Sequence, residues 1–582
     1  MLTSVLLPAA LLALLPAPSP APQTGCTGTE FFACQSNHFL RGLVENDHLG
    51  YSVSACGDWN WNGDCTTGAP EGVNRPDVLA GAAYPFEQAA ANPLAGRAQL
   101  YLTQDLCDLS PNLTIVGGVR LDSAGETQGE VFGWAVAFVG DLDGDCKSDF
   151  VVGAPRSIWD SALQRWSQRG RLYCFLSSRY PQTGSACIAN SANLIIEGPA
   201  DGSQFGCAVA EVGDFDGDGQ EDFDWNGDGV PDVVVSAPGG PLSPEQYSGT
   251  VYVISGADIV AKANTCSDCT VATPLNVVQV TSGIQVLASW TGKTNSGFER
   301  RDRFGFSLAI AGEVGDPNSA HPDIVAGAPQ FSGVNGPVPD GLWGPGYVRV
   351  LVGPAASQFY EFVGTGTNEL NYGCFGYSVS GQIDIASMGS VPGVLAPPDG
   401  IDDILVGEPM YDHEIPGTTP TFIEQAGKAY VLDVKTPGLA AATLASARGG
   451  GAGWFFGWQV QGLGPFDGAL SFSDSWAVCA SRYGDVPRLG ACPSGANCPN
   501  STTNPGDIFC GKLFVYRGDL LRHCWSVTGE SFRDSCGWDI ARTGDLGGSP
   551  LPDLVFSSPR WAEVIPPPLG LKELGKVYLR LR

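Results

Sequence analysis

The chain is poor in basic residues. Lys and Arg number 31 against 61 Asp and Glu, a formal net charge of −30. Binding to a phosphate backbone or an anionic lipid surface needs a basic face, so both are disfavoured. Methionine is nearly absent, at 3 of 582 residues. With so little Lys and Arg beside it, the composition argues against long amphipathic helices and coiled coils. Histidine is scarce, and the 5 residues (His38, His48, His321, His413, His523) are scattered along the chain. Neither a GxSxG nucleophile elbow nor an HExxH zinc helix occurs. No apolar run reaches the ~20 residues of a membrane-spanning helix.

Turn formers and cysteine are abundant. Gly 78 and Pro 43 predict frequent turns, while 43% hydrophobic residues are too many for a disordered chain. An even count of 18 cysteines points to an oxidising compartment. The apolar run from Leu6 to Leu15, followed by a Pro/Ala-rich stretch, reads as a secretory signal peptide over residues 1–25. The expected mature protein, residues 26–582, is secreted, periplasmic or on the cell surface.

One phrase recurs along the chain: Phe-Gly opening an alternating segment, an acidic loop, an apolar run ending near Gly-Ala-Pro, then Gly-x-Val-Tyr-Val. Clear copies start at Phe132, Phe205, Phe304 and Phe375, and looser ones at Leu49, Phe456 and Cys536. The first segment alternates with period two, as a half-buried strand does. The apolar run suits a strand covered on both faces, and the third segment is β-branched and aromatic. With a weaker fourth strand in the variable stretch, seven units predict an all-β, seven-bladed β-propeller. The last unit stops at its third strand. The spare N-terminal stretch containing NHFLRGLV is therefore expected to complete it, pairing near 31–44 with 575–581 and removing two open edges.

The acidic loops carry the most specific chemistry. Ca²⁺ takes six to eight oxygens from carboxylates and carbonyls. Asp141, Asp143, Asp145 and Asp149 occupy loop positions 1, 3, 5 and 9, with the carbonyl of Lys147 at position 7. Asp214, Asp216, Asp218, Gln220 and Asp222 repeat the pattern, and Asp224, Asn226, Asp228, Val230 and Asp232 repeat it again at once. Four converging carboxylates without a cation would repel, which favours metal over a plain turn. A weaker loop holds Asp58, Asn60, Asn62 and Asp64, with a long gap to Asp77; Asp399, Asp402 and Asp403 match only a loop end. Magnesium, which prefers strict octahedra, suits these loops less well. Zinc is disfavoured because no His or Cys converges with the carboxylates.

The Phe-Gly opening, the DxDGDGxxD loop and the Gly-Ala-Pro ending resemble FG-GAP repeats, which build the seven-bladed head of integrin alpha subunits and related bacterial secreted propellers. The resemblance implies two to four calcium ions in propeller loops, an extracellular location, and adhesion or ligand binding to an extracellular protein or glycan. The legs, inserted von Willebrand-type domain and membrane anchor of an integrin subunit have no counterpart, so the resemblance is to the head alone, as a free-standing form. The alternatives are an extracellular hydrolase of lipid or polysaccharide and a structural envelope protein.

Short spacings suggest disulfides Cys26–Cys34, Cys56–Cys65, Cys174–Cys187, Cys492–Cys498 and Cys524–Cys536, and Cys266 and Cys269 form a CxxC expected to be a tight structural bridge. Asn112 and Asn500 lie in glycosylation sequons. Arg517-Gly518-Asp519, an adhesion tripeptide, is read as a strand end. Trp134, Trp458 and Trp538, which follow the Gly of their openings, are expected in the blade core rather than on a sugar platform.

Overall fold

The three recurring segments of each repeat pair in sequence order as antiparallel neighbours. The computed structural model of the chain describes residues 29–581 apart from 33–37, 43–47, 61–75, 84–94, 104–109, 122–126, 157, 161–164, 214–222, 240–246, 272–275, 294–301, 315–320, 331–343, 354–358, 365–372, 386–397, 399, 415–421, 435–441, 467–472, 484–509, 519–521, 531–533, 545, 547–551 and 566–569. In the second blade the strands are Ala135–Phe138, Phe150–Ala154, Arg171–Phe175 and Leu194–Glu197. The run Phe150–Ala154 is buried at every position, because neighbouring blades cover both its faces. The fourth blade (Ser307–Gly312, Asp323–Ala328, Tyr347–Leu351, Phe359–Val363) and the fifth (Ser378–Ile383, Asp403–Glu408, Lys428–Asp433, Ala442–Arg448) repeat the order. Seven such sheets make the propeller, and its apolar core is a set of slabs between neighbouring blades. One slab, holding Leu79, Leu113, Phe132, Phe150 and Phe175, joins blades one and two. Another, holding Leu40, Leu49, Val78 and Leu579, joins blades seven and one.

Closure follows the expectation. The last blade contains Ile540–Arg542, Leu554–Ser558 and Lys576–Arg580, and its outer strand is His38–Arg41. Phe39 pairs with Tyr578 and Leu40 with Val577, antiparallel.

Blade joints repeat one device. A Gly ahead of the third strand forms a parallel bridge to the first residue of the next repeat: Gly96 to Phe132, Gly170 to Phe205, Gly346 to Phe375, Gly427 to Phe456 and Gly511 to Cys536. Gly575 to Leu49 closes the ring. At Gly170 φ is +81°, and a Cβ there would lie 2.1 Å from the Phe205 carbonyl oxygen. The residue before each opening is also left-handed though never glycine: His48, Val131, Gln204, Arg303, Cys374, Phe455 and Ser535 have φ between 52° and 58°. That conformation is unusual, above all for a β-branched Val; the closed ring imposes it seven times.

Three blades carry a fifth strand that the repeat does not announce. Gly184–Ile188 pairs in parallel with Leu113–Val116 of the first blade, and Val277–Gln279 with Leu194–Glu197 of the second. Thr29–Phe32 pairs in parallel with Arg522–Thr528 of the sixth. A disulfide Cys187–Cys269, Cα–Cα 4.7 Å, ties two of these excursions together. It replaces the expected Cys174–Cys187: Cys174 is a buried thiol. Cys56 and Cys536 are also outside any disulfide, so Cys56–Cys65 and Cys524–Cys536 do not form, although Cys146 and Cys524 are disulfide-bonded. The CxxC is not a bridge, since Cys269 bonds Cys187 and Cys266 is a thiol. Short sequence spacing misleads here because the ring brings distant excursions together. The expected Cys26–Cys34 and Cys492–Cys498 pairs lie outside the described residues. Among those residues, no helix is long and apolar enough to cross a membrane.

Candidate metal centres and the channel mouth

The loop between the first two strands of the second blade wraps around one carboxylate. Asp141 accepts the amides of Gly144 (2.8 Å), Asp145 (3.1 Å) and Cys146 (2.7 Å). These bonds curl the loop so that Asp141, Asp143 and Asp149 present carboxylate oxygens within 4.8 Å of one another. Asp143 takes a hydrogen bond from Ser178 on one oxygen, and its buried Oδ1 has no hydrogen-bond partner. An all-oxygen set with a desolvated, unsatisfied carboxylate oxygen fits a hard divalent cation. Asp145 is turned elsewhere, accepting from the Lys147 amide (3.0 Å) and the Ser177 hydroxyl (2.7 Å), with the Lys147 ammonium 3.5 Å away. Burial raises the pKa of Asp141 and holds Asp149 well above the usual carboxylate range, with Asp143 and Asp141 adding repulsion at Asp149. A bound cation would reverse both shifts.

The loop from Asp224 has the same build. Asp224 accepts from Gly227, Asp228 and Gly229, Asn226 accepts from Asp228, and Asp228 accepts from Val230. Asp232 accepts from Trp225 and Gly256, and burial lifts it to about 7, with Asp224 and Asp228 contributing. Asp214, Asp216, Asp218, Gln220 and Asp222 lie outside the described residues, as do Asn62, Asp64 and Asp399. In the first blade Asp58 accepts from Asn60, and burial pushes it up to about 6.

Position 9 of the loop does more than face a metal. Asp149 accepts from Leu142 and Ser177, joining the loop to the end of the third strand. Asp77 does the same with Trp59 and Thr103, and Asp323 with Val314 and Gly353. The fourth blade lacks the DxDGD pattern, so this Asp is a staple of the blade whether or not a metal sits beside it. The Asp before the apolar run, present in PDVLAGA and PDIVAGAP, was the signal for it.

The inner strands enclose a central cavity of about 260 Å³. The residue after each opening Gly lines it: Tyr51, Trp134, Cys207, Phe306, Tyr377, Trp458 and Trp538. The rings touch in series, Trp134–Tyr51 at 4.9 Å, Tyr51–Trp538 at 5.7 Å, Trp538–Trp458 at 4.9 Å, Trp458–Tyr377 at 4.8 Å and Tyr377–Phe306 at 5.1 Å between centroids. Cys207 fills the seventh place beside Trp134, which donates to it. The three tryptophans expected in the blade core are therefore half-buried in a collar around the channel. Because the inner strand separates collar from acidic loop, the two lie at opposite ends of the blade. Arginines gather at the collar. Arg482 stacks 4.7 Å from the Phe455 ring centroid, and its pKa is lowered by burial and then by Arg560. Arg560 also acts on Tyr51, and Arg303 on Tyr377 and Cys207.

Deeper in the channel, Asp539 accepts the amides of Val53 (2.8 Å) and Ile540 (3.0 Å), and burial lifts it to about 7. Glu211, lifted to about 8 by burial and then by Asp539, accepts from Ser54 and Ala55 but leaves Oε1 without a hydrogen-bond partner.

Fold and site together define a seven-bladed propeller of FG-GAP repeats with acidic loops at one end and an aromatic collar at the other. The FG-GAP repeat is matched at residues 132–165 and 224–254, in the second and third blades. Integrin alpha-IIb of Homo sapiens is 30% identical over 205 residues, 35% of this chain and 15% of that protein. Integrin alpha-5 of Xenopus laevis is 28% identical over 148 residues, 25% of this chain and 12% of that protein. The chain thus spans about a seventh of the length of these relatives, and it resembles the integrin alpha head. A solved exotype rhamnogalacturonan lyase, YesX, aligns over 93% of this chain and 75% of its own at 11% identity, with a TM-score of only 0.32.

Proposed function

We propose that the protein is an exported, calcium-stiffened propeller acting as an adhesion or ligand-binding module. The convergence of Asp141, Asp143 and Asp149, together with the buried Asp143 Oδ1 that has no hydrogen-bond partner, carries the metal part of this reading. Calcium would be held by these carboxylates and by the matching Asp224, Asp228 and Asp232, with Asn226 and the carbonyls of Lys147 and Val230 completing the sets. Extracellular calcium modules bind with Kd of about 10⁻⁴–10⁻³ M. Occupancy at 100 Kd stabilises the folded state by about 2.7 kcal/mol. The ligand face is the collar: aromatic rings there offer apolar contact, and Arg482 and Arg560 offer bidentate donors to an acidic group. The test is a glycan and matrix-protein array probed with the purified protein in calcium. Binding that is lost in Trp458→Ala and Arg482→Ala variants with unchanged melting supports the reading. An array with no signal, or signal indifferent to both substitutions, contradicts it.

One observation favours a second reading. Glu211 and Asp539 are neighbouring channel carboxylates with raised pKa values, the pattern of an acid–base pair in a hydrolase. Both also staple the inner strand of the first blade. Hydrolysis of a polysaccharide that disappears in Glu211→Gln and Asp539→Asn, without loss of folding, would favour this alternative.

A further inference from the structure

Three of the seven repeats pair a tryptophan with an arginine. Where Trp follows the opening Gly, at Trp134, Trp458 and Trp538, the residue after the Gly-Ala-Pro position is Arg156, Arg482 or Arg560 in the same repeat. The repeats without that Trp carry Tyr84, Gly239, Gln330 and Met410 at the second place. Strand pairing brings the two places together. The Trp134 amide donates to the Gly153 carbonyl and the Trp538 amide to the Ser557 carbonyl, both at 3.3 Å. In each of these blades the arginine stands just beyond that acceptor, where the second strand has ended. In the sixth blade Phe456 pairs with Ala480, so Trp458 and Arg482 take the equivalent places. Each pair therefore belongs to the collar end of its blade.

These guanidiniums are not neutralised within the chain. Arg156 and Arg560 are half-buried, and neither side chain has a hydrogen-bond or ion-pair partner among the described residues. Arg560 also crowds Arg482 of the adjacent blade, like charge against like charge. On a chain with 61 acidic residues against 31 basic ones, a carboxylate of the chain would be the ordinary partner of each. Arginines left without one favour an anionic group supplied from outside. The indoles gather on the same side of the ring. Trp458, Trp538, Tyr51 and Trp134 touch in that order, an unbroken arc over blades six, seven, one and two.

We propose that this arc binds an acidic polysaccharide, with pyranose rings against the indoles and uronate carboxylates on Arg156, Arg482 and Arg560. The proposal rests on the collar being the ligand face and extends that face to Arg156. A pyranose presents an apolar C–H face that an indole can cover, and a carboxylate takes two parallel N–H bonds from a guanidinium. Three guanidiniums suit a few spaced carboxylates. A dense polyanion would instead meet the repulsion of a molecule with net charge −30. The acidic loops lie at the other end of the blades and take no part.

The experiment is calorimetric titration of the full chain, in calcium, with three probes: a short oligouronate, its carboxyl-reduced neutral counterpart, and an oligoglutamate of equal charge. The oligouronate is expected to bind, and the other two at least tenfold more weakly. Arg156→Ala, Arg560→Ala and Trp134→Ala should each lower the affinity for oligouronate at least fivefold with unchanged melting. Arg448→Ala, at an exposed arginine on the outer strand of the fifth blade, should leave it unchanged. Equal affinity for the neutral sugar or for oligoglutamate, or affinity indifferent to Arg156→Ala, would overturn the proposal. A protein that binds another ligand through Trp458 and Arg482 but takes no oligouronate would also overturn it, while leaving the collar as the ligand face.

Discussion

Replacing Gly170 by Ala tests the joint between blades most sharply. Gly170 sits at φ +81°, and a Cβ would lie 2.1 Å from the Phe205 carbonyl oxygen and 2.4 Å from its nitrogen. Both are backbone atoms of the next blade, so no side chain can swing aside. The left-handed conformation costs an L residue roughly 1–2 kcal/mol, and forcing atoms into a packed joint typically costs about 1–3 kcal/mol more. Gly453 is the matched control: φ is +70°, but nothing lies within 4 Å of its Cβ position. Gly453→Ala should therefore carry only the conformational cost, partly offset by the stiffer unfolded chain. Urea unfolding followed by tryptophan fluorescence should place Gly170→Ala about 1–3 kcal/mol below Gly453→Ala. Equal midpoints would show that the joints yield, and that close backbone approach does not fix the ring.

Other outcomes follow from the same structure. Leu40 is buried on the strand that closes the ring, so Leu40→Ala should cost about 2–5 kcal/mol by denaturant unfolding; a surface-like loss of under 0.5 kcal/mol would contradict closure. Cys269→Ser should lower stability by about 2–4 kcal/mol and make the melt insensitive to reductant at that bridge, as peptide mapping under oxidising conditions can verify. Glu211 binds its proton more tightly folded, at about 8, than its ordinary 4.5. Its contribution is therefore fully present below about 4.5 and is lost as pH rises through about 8. Glu211→Gln should flatten the stability profile across that window, and an unchanged slope would refute the assignment.

The repeat made much of this legible. The period-two segment after Phe132 and the unbroken run of Phe150–Ala154 are the inner and second strands, and the missing strand after Lys576–Arg580 was found at His38–Arg41. The collar was open to reading too, because Tyr51, Phe306, Tyr377 and Trp538 occupy one column when the openings are aligned; what the pattern did not tell is that this column faces the axis. The fifth strands could not be read, since Gly184–Ile188 and Val277–Gln279 lie in excursions that follow no repeat and pair with residues of another blade. The loop carboxylates were visible as a spacing, yet the spacing could not separate Asp143, which joins the cluster and keeps one buried oxygen without a hydrogen-bond partner, from Asp145, which is taken by Lys147 and Ser177.

The most direct measurement is the calcium content of the purified protein, taken with its thermal melt in calcium and in chelator, for wild type and for Asp143→Asn. The account predicts two to four bound ions in the wild type, a clear fall in melting temperature on chelation, and the loss of one ion with a smaller calcium response in the variant. A wild-type protein that holds no calcium and melts at the same temperature in chelator would show that the DxDGD loops are turns held by Asp141 and Asp149 alone, and would remove the metal from the account.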